Sequence, residues 1–133
     1  MTTDILVNLG EEELIKNGFD GSTFTIGVYD DATDDLSDTS TVSDITTEPE
    51  NSNYATQTAT FSAEQISGNW GVNNDTSFSF DFSDQSTSED VDAFYVSDGE
   101  GDLYFNAAMS QTRDIGAIDT LEVAAEDLEI TVD

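Results

Sequence analysis

The sequence contains no cysteine and no histidine, and its 133 residues include one proline. Without cysteine there are no disulfides and no thiolate metal ligands, and without histidine the most common general base near neutral pH is missing. The usual pairs of nucleophile and base are therefore lost as well. The composition predicts a protein that is not an enzyme.

Positive charge is almost as scarce. Lys16 and Arg113 are the basic residues, set against 30 aspartates and glutamates, for a formal net charge of -28. Such a chain has almost nothing with which to neutralise the phosphates of DNA, RNA or anionic lipid. It also lacks a basic leader and any run close to the ~20 apolar residues that span a membrane. We expect neither a nucleic-acid nor a membrane partner.

The large negative charge indicates that the protein works in a high-salt environment. At about 1 M salt the Debye length shrinks to ~3 Å, which screens most of the self-repulsion of an acidic surface. High net charge with 36% hydrophobic residues is also typical of disorder. However, the eight Phe, four Tyr and one Trp lie mostly in alternating segments, which indicates a folded sheet. The sequence predicts a folded, salt-requiring halophilic protein.

The pattern of elements predicts an all-β fold. We expect a single domain over residues 1–133, an antiparallel β-sandwich of jelly-roll type with one short N-terminal helix. The helix is predicted at residues 11–18, after an apolar run at 4–9, with Leu14 and Ile15 on the core and Gly18 as a left-handed cap.

Strand-like alternation marks most of the remaining chain. The predicted strands cover residues 23–29, 54–61, 77–82, 91–97, 103–109, 121–125 and 128–132. The stretch from Ile66 to Asn74 is predicted as a turn-rich connection. Residues 30–53 are predicted as a long acidic loop, with a short strand near 42–45 as an alternative, and loops of that length often carry function or mobility.

Acidic residues at alternate positions of a glycine-rich turn form the best metal-like cluster. Asp98-Gly99-Glu100-Gly101-Asp102 has the composition of a tight hairpin turn, and its carboxylates could converge on calcium, sodium or potassium. An ordinary hairpin turn in an acidic protein has the same appearance, and it is the favoured interpretation. A second acidic cluster, at residues 30–38, has the same two interpretations. No other cofactor is predicted.

Three aromatic residues are candidate contacts with another subunit or a capsid. Trp70 lies among glycines and asparagines, and Phe94 and Tyr104 belong to apolar faces that exceed the needs of one small core. A separate signal is the sequon Asn74-Asp75-Thr76, which makes Asn74 a candidate glycosylation site.

The stretch Asn53-Tyr54-Ala55-Thr56-Gln57, followed by Phe61, resembles a family of small structural proteins of tailed viruses, whose members carry Gly-Tyr-Ala-Arg-Gln there. The same order of landmarks continues through the Phe78 and Phe80 strand, the hairpin at residues 93–105 and the ending at 119–133. The chain departs from the family at Asn53, at Thr56 and at Glu126-Asp127, where a glycine, an arginine and a glycine-containing turn are usual.

The resemblance implies a non-enzymatic virion protein of a tailed virus of halophilic archaea. A capsid decoration or turret protein is expected, located in the virion and bound to copies of itself in a symmetric homo-oligomer and to the major capsid protein. One alternative is a tail-fibre or baseplate component for host attachment, with residues 30–53 as its tip. An alternative of another class is a soluble halophilic cation-binding module.

Overall fold

The computed structural model describes residues 8–131 and is mostly antiparallel β-structure with few helices. The strands are β1 (Thr23–Tyr29), β2 (Gln57–Ile66), β3 (Asn69–Asn74), β4 (Phe78–Asp81), β5 (Asp90–Ser97), β6 (Leu103–Asp114), β7 (Thr120–Val123) and β8 (Glu129–Thr131), and the helices are α1 (Asn8–Gly18) and α2 (Asp31–Asp34). Six strands form a nearly closed sheet in the order β6-β5-β1-β2-β3-β8, while β4 and β7 pair separately. Residues 4–7 of the predicted apolar run (4–9) and Val132 of the predicted last strand lie outside the described residues, and α1 begins at Asn8, before the predicted start at residue 11.

Strand β1 has the bounds that alternation predicts. Phe24, Ile26 and Val28 are buried in the main core, as expected for one face of a strand. Alternation also predicts a polar opposite face for this strand, and this is wrong at Gly27 and Tyr29, which are buried too. A second, smaller apolar cluster covers that face, because the acidic loop folds back over it.

Strand β3 corrects the prediction of a turn-rich connection after Ile66. Strands β2 and β3 form a hairpin whose turn residues, Ser67 and Gly68, both have positive φ (52° and 89°). That conformation suits the two-residue turn that joins twisted antiparallel strands. Asparagine disfavours strands locally, but β3 is paired on both sides, by β2 and β8, and its Val72 is fully buried.

Helix α1 packs on β2 and β3 through one narrow face. Ile15 is buried, but Leu14 is 63% exposed, so the prediction that both dock on the core is wrong for Leu14. Neighbouring residues of a helix point about 100° apart, and here the apolar face includes one of them. The predicted left-handed cap at Gly18 is also wrong, because the positive φ (73°) belongs to Gly21.

The core lies inside the curved sheet and is rich in aromatic contacts. Phe78, Phe80 and Phe82 are buried there, and Phe80 has its ring 6.5 Å from Phe94 of the six-stranded sheet. Phe61 of β2 makes an edge contact with Phe24 of β1 at 5.8 Å. The alternating Phe residues of β4 therefore point into the sheet as predicted.

The acidic loop, residues 30–53, contains α2 and a 3-10 turn at Val42–Asp44. The alternative of a short strand at 42–45 is therefore wrong. None of the helices within residues 8–131 is long and apolar enough to cross a membrane.

Candidate functional site

Carboxylates hold the acidic loop to the sheet. Asp92 of β5 accepts hydrogen bonds from the backbone N–H groups of Asp31 (2.6 Å) and Ala32 (3.2 Å), at the start of α2. These N–H groups have no partner within the helix, and a carboxylate is the natural acceptor for them. The acidic side chain thus fixes the first part of the loop to β5.

Asp34 ties the two arms of the loop together. Its carboxylate accepts hydrogen bonds from the backbone N–H and hydroxyl of both Thr46 and Thr47, at 2.5 to 3.2 Å. Burial opposes ionisation of Asp34, but the four hydrogen bonds outweigh it and lower the pKa of the carboxyl group. The acidic loop is therefore not simply a solvated segment, because hydrogen bonds between its own residues hold it together.

Glu48 joins the loop to two tyrosines. Its Oε2 atom accepts the hydroxyl of Tyr54 at 2.7 Å and that of Tyr95 at 2.5 Å, and the Tyr54 oxygen accepts the N–H of Val28 at 3.1 Å. Burial, followed by the bonds to Glu48, raises the pKa of both phenols. Gly27 leaves room for this group, because a Cβ atom there would lie 2.3 Å from Tyr95.

Asp84 anchors the far end of the loop. It accepts hydrogen bonds from the Asn51 amide (2.5 Å), the Ser52 hydroxyl (2.8 Å) and the Asn53 backbone (3.2 Å). The bonds from Asn51 and Ser52 are the main reason that the pKa of Asp84 is lowered. The loop is thus held by carboxylates near both ends and in its middle, which gives it a defined path across β1 and β5.

The turn at residues 98–102 is arranged as a hairpin turn and not as a metal site. Asp98 Oδ1 accepts the backbone N–H groups of Glu100 (2.8 Å) and Asp102 (3.0 Å), and these bonds lower its pKa. Glu100 and Asp102 are exposed side chains on the turn, and Gly99 and Gly101 supply its positive φ angles. Within residues 8–131 no group of three or more carboxylates is placed to hold a metal ion. Asp98, Glu100 and Asp102 are therefore not brought together as ligands.

The candidate glycosylation site is buried. Asn74 is 0% exposed, and its amide nitrogen donates to the carbonyl oxygens of Thr76 (2.8 Å) and Ala124 (3.0 Å). Its amide oxygen accepts the N–H of Leu128 at 2.9 Å. The side chain holds three chain segments together, so the prediction of glycosylation at Asn74 is incompatible with this fold.

The three candidate contact residues lie in different places. Trp70 is half-buried, with the ammonium of Lys16 5.2 Å from its ring, and so covers α1 of the same chain. Phe94 is half-buried on β5 and faces a cleft. Tyr104 is 50% exposed at the start of β6, with its inner edge on Phe24. The structure does not bring the three together.

The cleft beside Phe94 has a volume of about 540 Å³ and lies between β6, β7 and the start of β8. Apolar side chains from Met109, Leu121 and Leu128 line it. Arg113 lines it too, and within the described residues it makes no salt bridge, while Lys16 is paired with Glu12. Glu122, Asp127 and Glu129 line the same cleft, and a guanidinium that forms no salt bridge among the described residues beside them is a feature that the sequence pattern does not predict.

The cleft opens where β6 bulges. Ala93 of β5 pairs with Ala108 and Val91 pairs with Arg113, so residues 109–112 lie opposite the single residue Asp92. A bulge bends its strand and redirects the side chains beside it. It turns Arg113 back to β5 while residues 110–112 protrude into solvent.

Comparison with known proteins identifies no similar protein. A scan against family models finds no match, and neither do searches of curated proteins and of solved structures. The candidate functional region is therefore defined by its own geometry. It consists of the β6 edge, its bulge and the cleft that Arg113 lines.

Proposed function

We propose that this protein is a non-enzymatic structural component of a virion in a high-salt environment, a capsid decoration or turret protein of a tailed virus of halophilic archaea. In this proposal the curved six-stranded sheet and the β4–β7 pair are the two layers of a jelly-roll-like sandwich. The sequence resemblance at Tyr54 and Phe61 suggests the particle, and the acidic surface suggests the brine.

The observation that carries the proposal is the use of carboxylates as structural acceptors. Asp34, Asp84 and Asp92 bind backbone and hydroxyl donors of the acidic loop, which makes the domain a tied, single body. Hydrogen bonds act at short range, so salt weakens them less than the repulsion between exposed charges that lie more than a Debye length apart. Such a domain suits permanent exposure to brine on a particle surface.

The salt requirement is tested by sedimentation velocity and circular dichroism in about 3 M and about 0.1 M salt, which span the screening range. We expect an assembled, folded protein in the concentrated solution and dissociation or unfolding in the dilute one. A monomer with the same circular dichroism in both solutions contradicts the halophilic assembly.

The location is tested by gold-labelled antibodies on intact virus particles. Label on the heads supports a decoration or turret protein, and label on the tails selects the tail-fibre or baseplate alternative. Particles that carry no label overturn the virion role and favour the soluble binding module. Calorimetry with calcium, on the wild type and on the double variant Asp98→Ala, Asp102→Ala, then tests that module.

A further inference from the structure

The main core is incompletely covered at the cleft that Arg113 lines. Several hydrophobic side chains that pack against this core are only partly buried, and four of them share the cleft: Phe94, Ala107, Met109 and Leu121. The volume of about 540 Å³ lies within the ~300–1,000 Å³ that is usual for ligand sites. A ligand that fills the cleft therefore gains apolar contacts that the chain itself leaves unmade.

The walls of the cleft are strands and the residues that connect them. Residues 107–110 of β6 line one side, and residues 121–123 of β7 and 127–129, which lead into β8, line the other. Neither β7 nor β8 pairs with β6. Successive residues of a strand rise ~3.3 Å, so the β6 wall is ~10 Å long and matches an extended peptide segment of about three to four residues.

Opposite charges line the same cleft without meeting. The exposed carboxylates on it belong to Glu122, Asp127 and Glu129. None of them lies within 4.0 Å of the Arg113 guanidinium, which forms neither a salt bridge nor a hydrogen bond with any described residue. A guanidinium binds a carboxylate through two parallel hydrogen bonds. The cleft therefore lacks a partner group of each sign.

We propose that this cleft binds an extended peptide segment of another virion protein. The segment carries apolar side chains that cover Phe94, Met109 and Leu121, an Asp or Glu that pairs with Arg113, and a Lys or Arg that faces the three carboxylates. Alternate side chains of an extended segment point to the same face, so the apolar residues occupy every second position. This inference rests on the proposed structural role and names the chemistry of the partner.

Charge complementarity selects this occupant. A cation is attracted by most of the surface, because the chain has 30 acidic residues, so positive charge alone does not direct a segment to the cleft. A carboxylate is repelled by the same surface. Lys16 is already paired with Glu12, whereas Arg113 has no carboxylate among the described residues. The carboxylate of the segment therefore directs it to Arg113, and its apolar side chains hold it in the cleft.

The test is a titration of the isotope-labelled protein with synthetic peptides, followed by NMR in about 1 M salt. The probes are acetyl-Lys-Leu-Thr-Val-Thr-Asp-amide and acetyl-Asp-Leu-Thr-Val-Thr-Lys-amide, which present the two charges in both orders, and the same two peptides with Asn in place of Asp. We expect one of the charged peptides to shift the signals of residues 107–113 and 121–129. It should bind at least ~3-fold more tightly than its Asn counterpart, as a modest ion pair requires.

Matched variants test the two parts of the cleft. Arg113→Gln removes its guanidinium, and Lys16→Gln removes the other cation of the chain. Met109→Gln makes one wall polar, and Leu14→Gln changes an exposed leucine of α1. Arg113→Gln and Met109→Gln should each weaken binding by at least ~3-fold, while the two controls bind as the wild type does. Arg113→Gln should also abolish the preference for Asp over Asn in the peptide, which a merely structural role does not predict.

The signals of residues far from the cleft show whether each variant is folded. Ala108→Gln, at an exposed position on the cleft, replaces Met109→Gln if that variant is unfolded. The proposal is overturned if neither charged peptide shifts the cleft signals, if the shifts lie elsewhere, or if Arg113→Gln and Lys16→Gln have equal effects. Cleft signals that move with protein concentration alone assign the cleft to a second copy and overturn the partner named here.

The inference and the proposed function fail in different ways. Particles that carry gold label, combined with a cleft that binds neither charged peptide, leave the virion role standing and overturn the peptide site. A peptide that binds as expected while particles carry no label supports the peptide site and overturns the virion role.

Discussion

The hydroxyl of Tyr95 donates a hydrogen bond to Oε2 of Glu48, with 2.5 Å between the two oxygens. This bond joins β5 to the acidic loop. The same oxygen accepts the hydroxyl of Tyr54. One carboxylate thus serves two buried phenols, and the glycine at position 27 makes the space for them.

Replacing Glu48 should be costly. Glu48→Ala leaves two buried hydroxyl groups without their acceptor, and each unsatisfied group costs ~1–3 kcal/mol, so we expect a loss of about 2–4 kcal/mol in the free energy of unfolding. Glu50→Ala removes an exposed carboxylate two positions away and should change the free energy of unfolding by less than ~0.5 kcal/mol. Urea unfolding in concentrated salt measures both, and equal effects would refute the role of Glu48.

The protein should lose stability at alkaline pH. Burial, with the bonds to Glu48, raises the pKa of Tyr54 and Tyr95 above the ordinary value of 10.0. A raised pKa means that the neutral phenols stabilise the fold fully below pH ~10, and that this contribution is lost as the pH rises further. Thermal unfolding from pH 7 to pH 11 should show the decline.

The matched variant for this measurement is Tyr54→Phe combined with Tyr95→Phe. It should begin less stable and decline less steeply above pH ~10, because fewer phenols can ionise. Some decline should remain, since burial also raises the pKa of Tyr29. A decline of the same steepness in the double variant would assign the alkaline transition to other groups.

Gly27 should not tolerate a side chain. A Cβ atom there would lie 2.3 Å from Tyr95 and 2.5 Å from Glu48. Gly27→Ala should therefore destabilise the protein by ~1–3 kcal/mol, the usual cost of overpacking. Gly18→Ala is the control, because a Cβ atom at that position meets nothing within 4 Å. If Gly27→Ala unfolds at the same urea concentration as the wild type, the close contact at Gly27 is wrong.

Asp98 should act as a turn residue. Asp98→Ala removes two hydrogen bonds from the hairpin and should lower the free energy of unfolding, whereas Glu100→Ala, on the same turn, should be nearly neutral. Differential scanning calorimetry with and without calcium checks the role. We expect calcium to shift the melting temperatures of the wild type and of Asp98→Ala equally. A shift confined to the wild type would restore the metal interpretation.

Acid should weaken the fold through Asp84. Hydrogen bonds from Asn51 and Ser52 lower the pKa of Asp84 below the ordinary 3.8. A lowered pKa gives stability that is full above pH ~5 and is lost as the pH falls through the folded value. In about 3 M salt, where repulsion is screened, Asp84→Asn should therefore flatten the decline below pH 4. Asp38→Asn, at an exposed position, should leave the decline as steep as in the wild type.

Local patterns predicted the elements that alternate strictly. The bounds of β1 and the existence of the β5–β6 hairpin follow from apolar residues at every second position and from a glycine-rich turn, although β6 runs on to Asp114, beyond the predicted end at residue 109. The buried Phe residues of β4 follow from the same rule. These predictions depend on neighbours in the sequence, which is why they could be made without the fold.

Other features could not be predicted, because distant segments decide them. Strand β3 is rich in asparagine and exists because β2 and β8 pair with it. Asn74 looks like an exposed sequon, yet it is buried by bonds to Ala124 and Leu128. The placement of Arg113 on its cleft depends on a bulge in β6 that carries no glycine or proline as a signal.

The amino-acid sequence by itself determined the excess of negative charge, the scarcity of cations and the period of the β-strands, since composition and alternation need no partners. Only the tertiary structure decided which carboxylates are merely solvated and which hold the chain together. Asp34, Glu48 and Asp84 look like any other acidic residue until the fold brings donors to them. The physical reason is that a hydrogen bond depends on distance and direction, and residues far apart in the sequence acquire both only on folding.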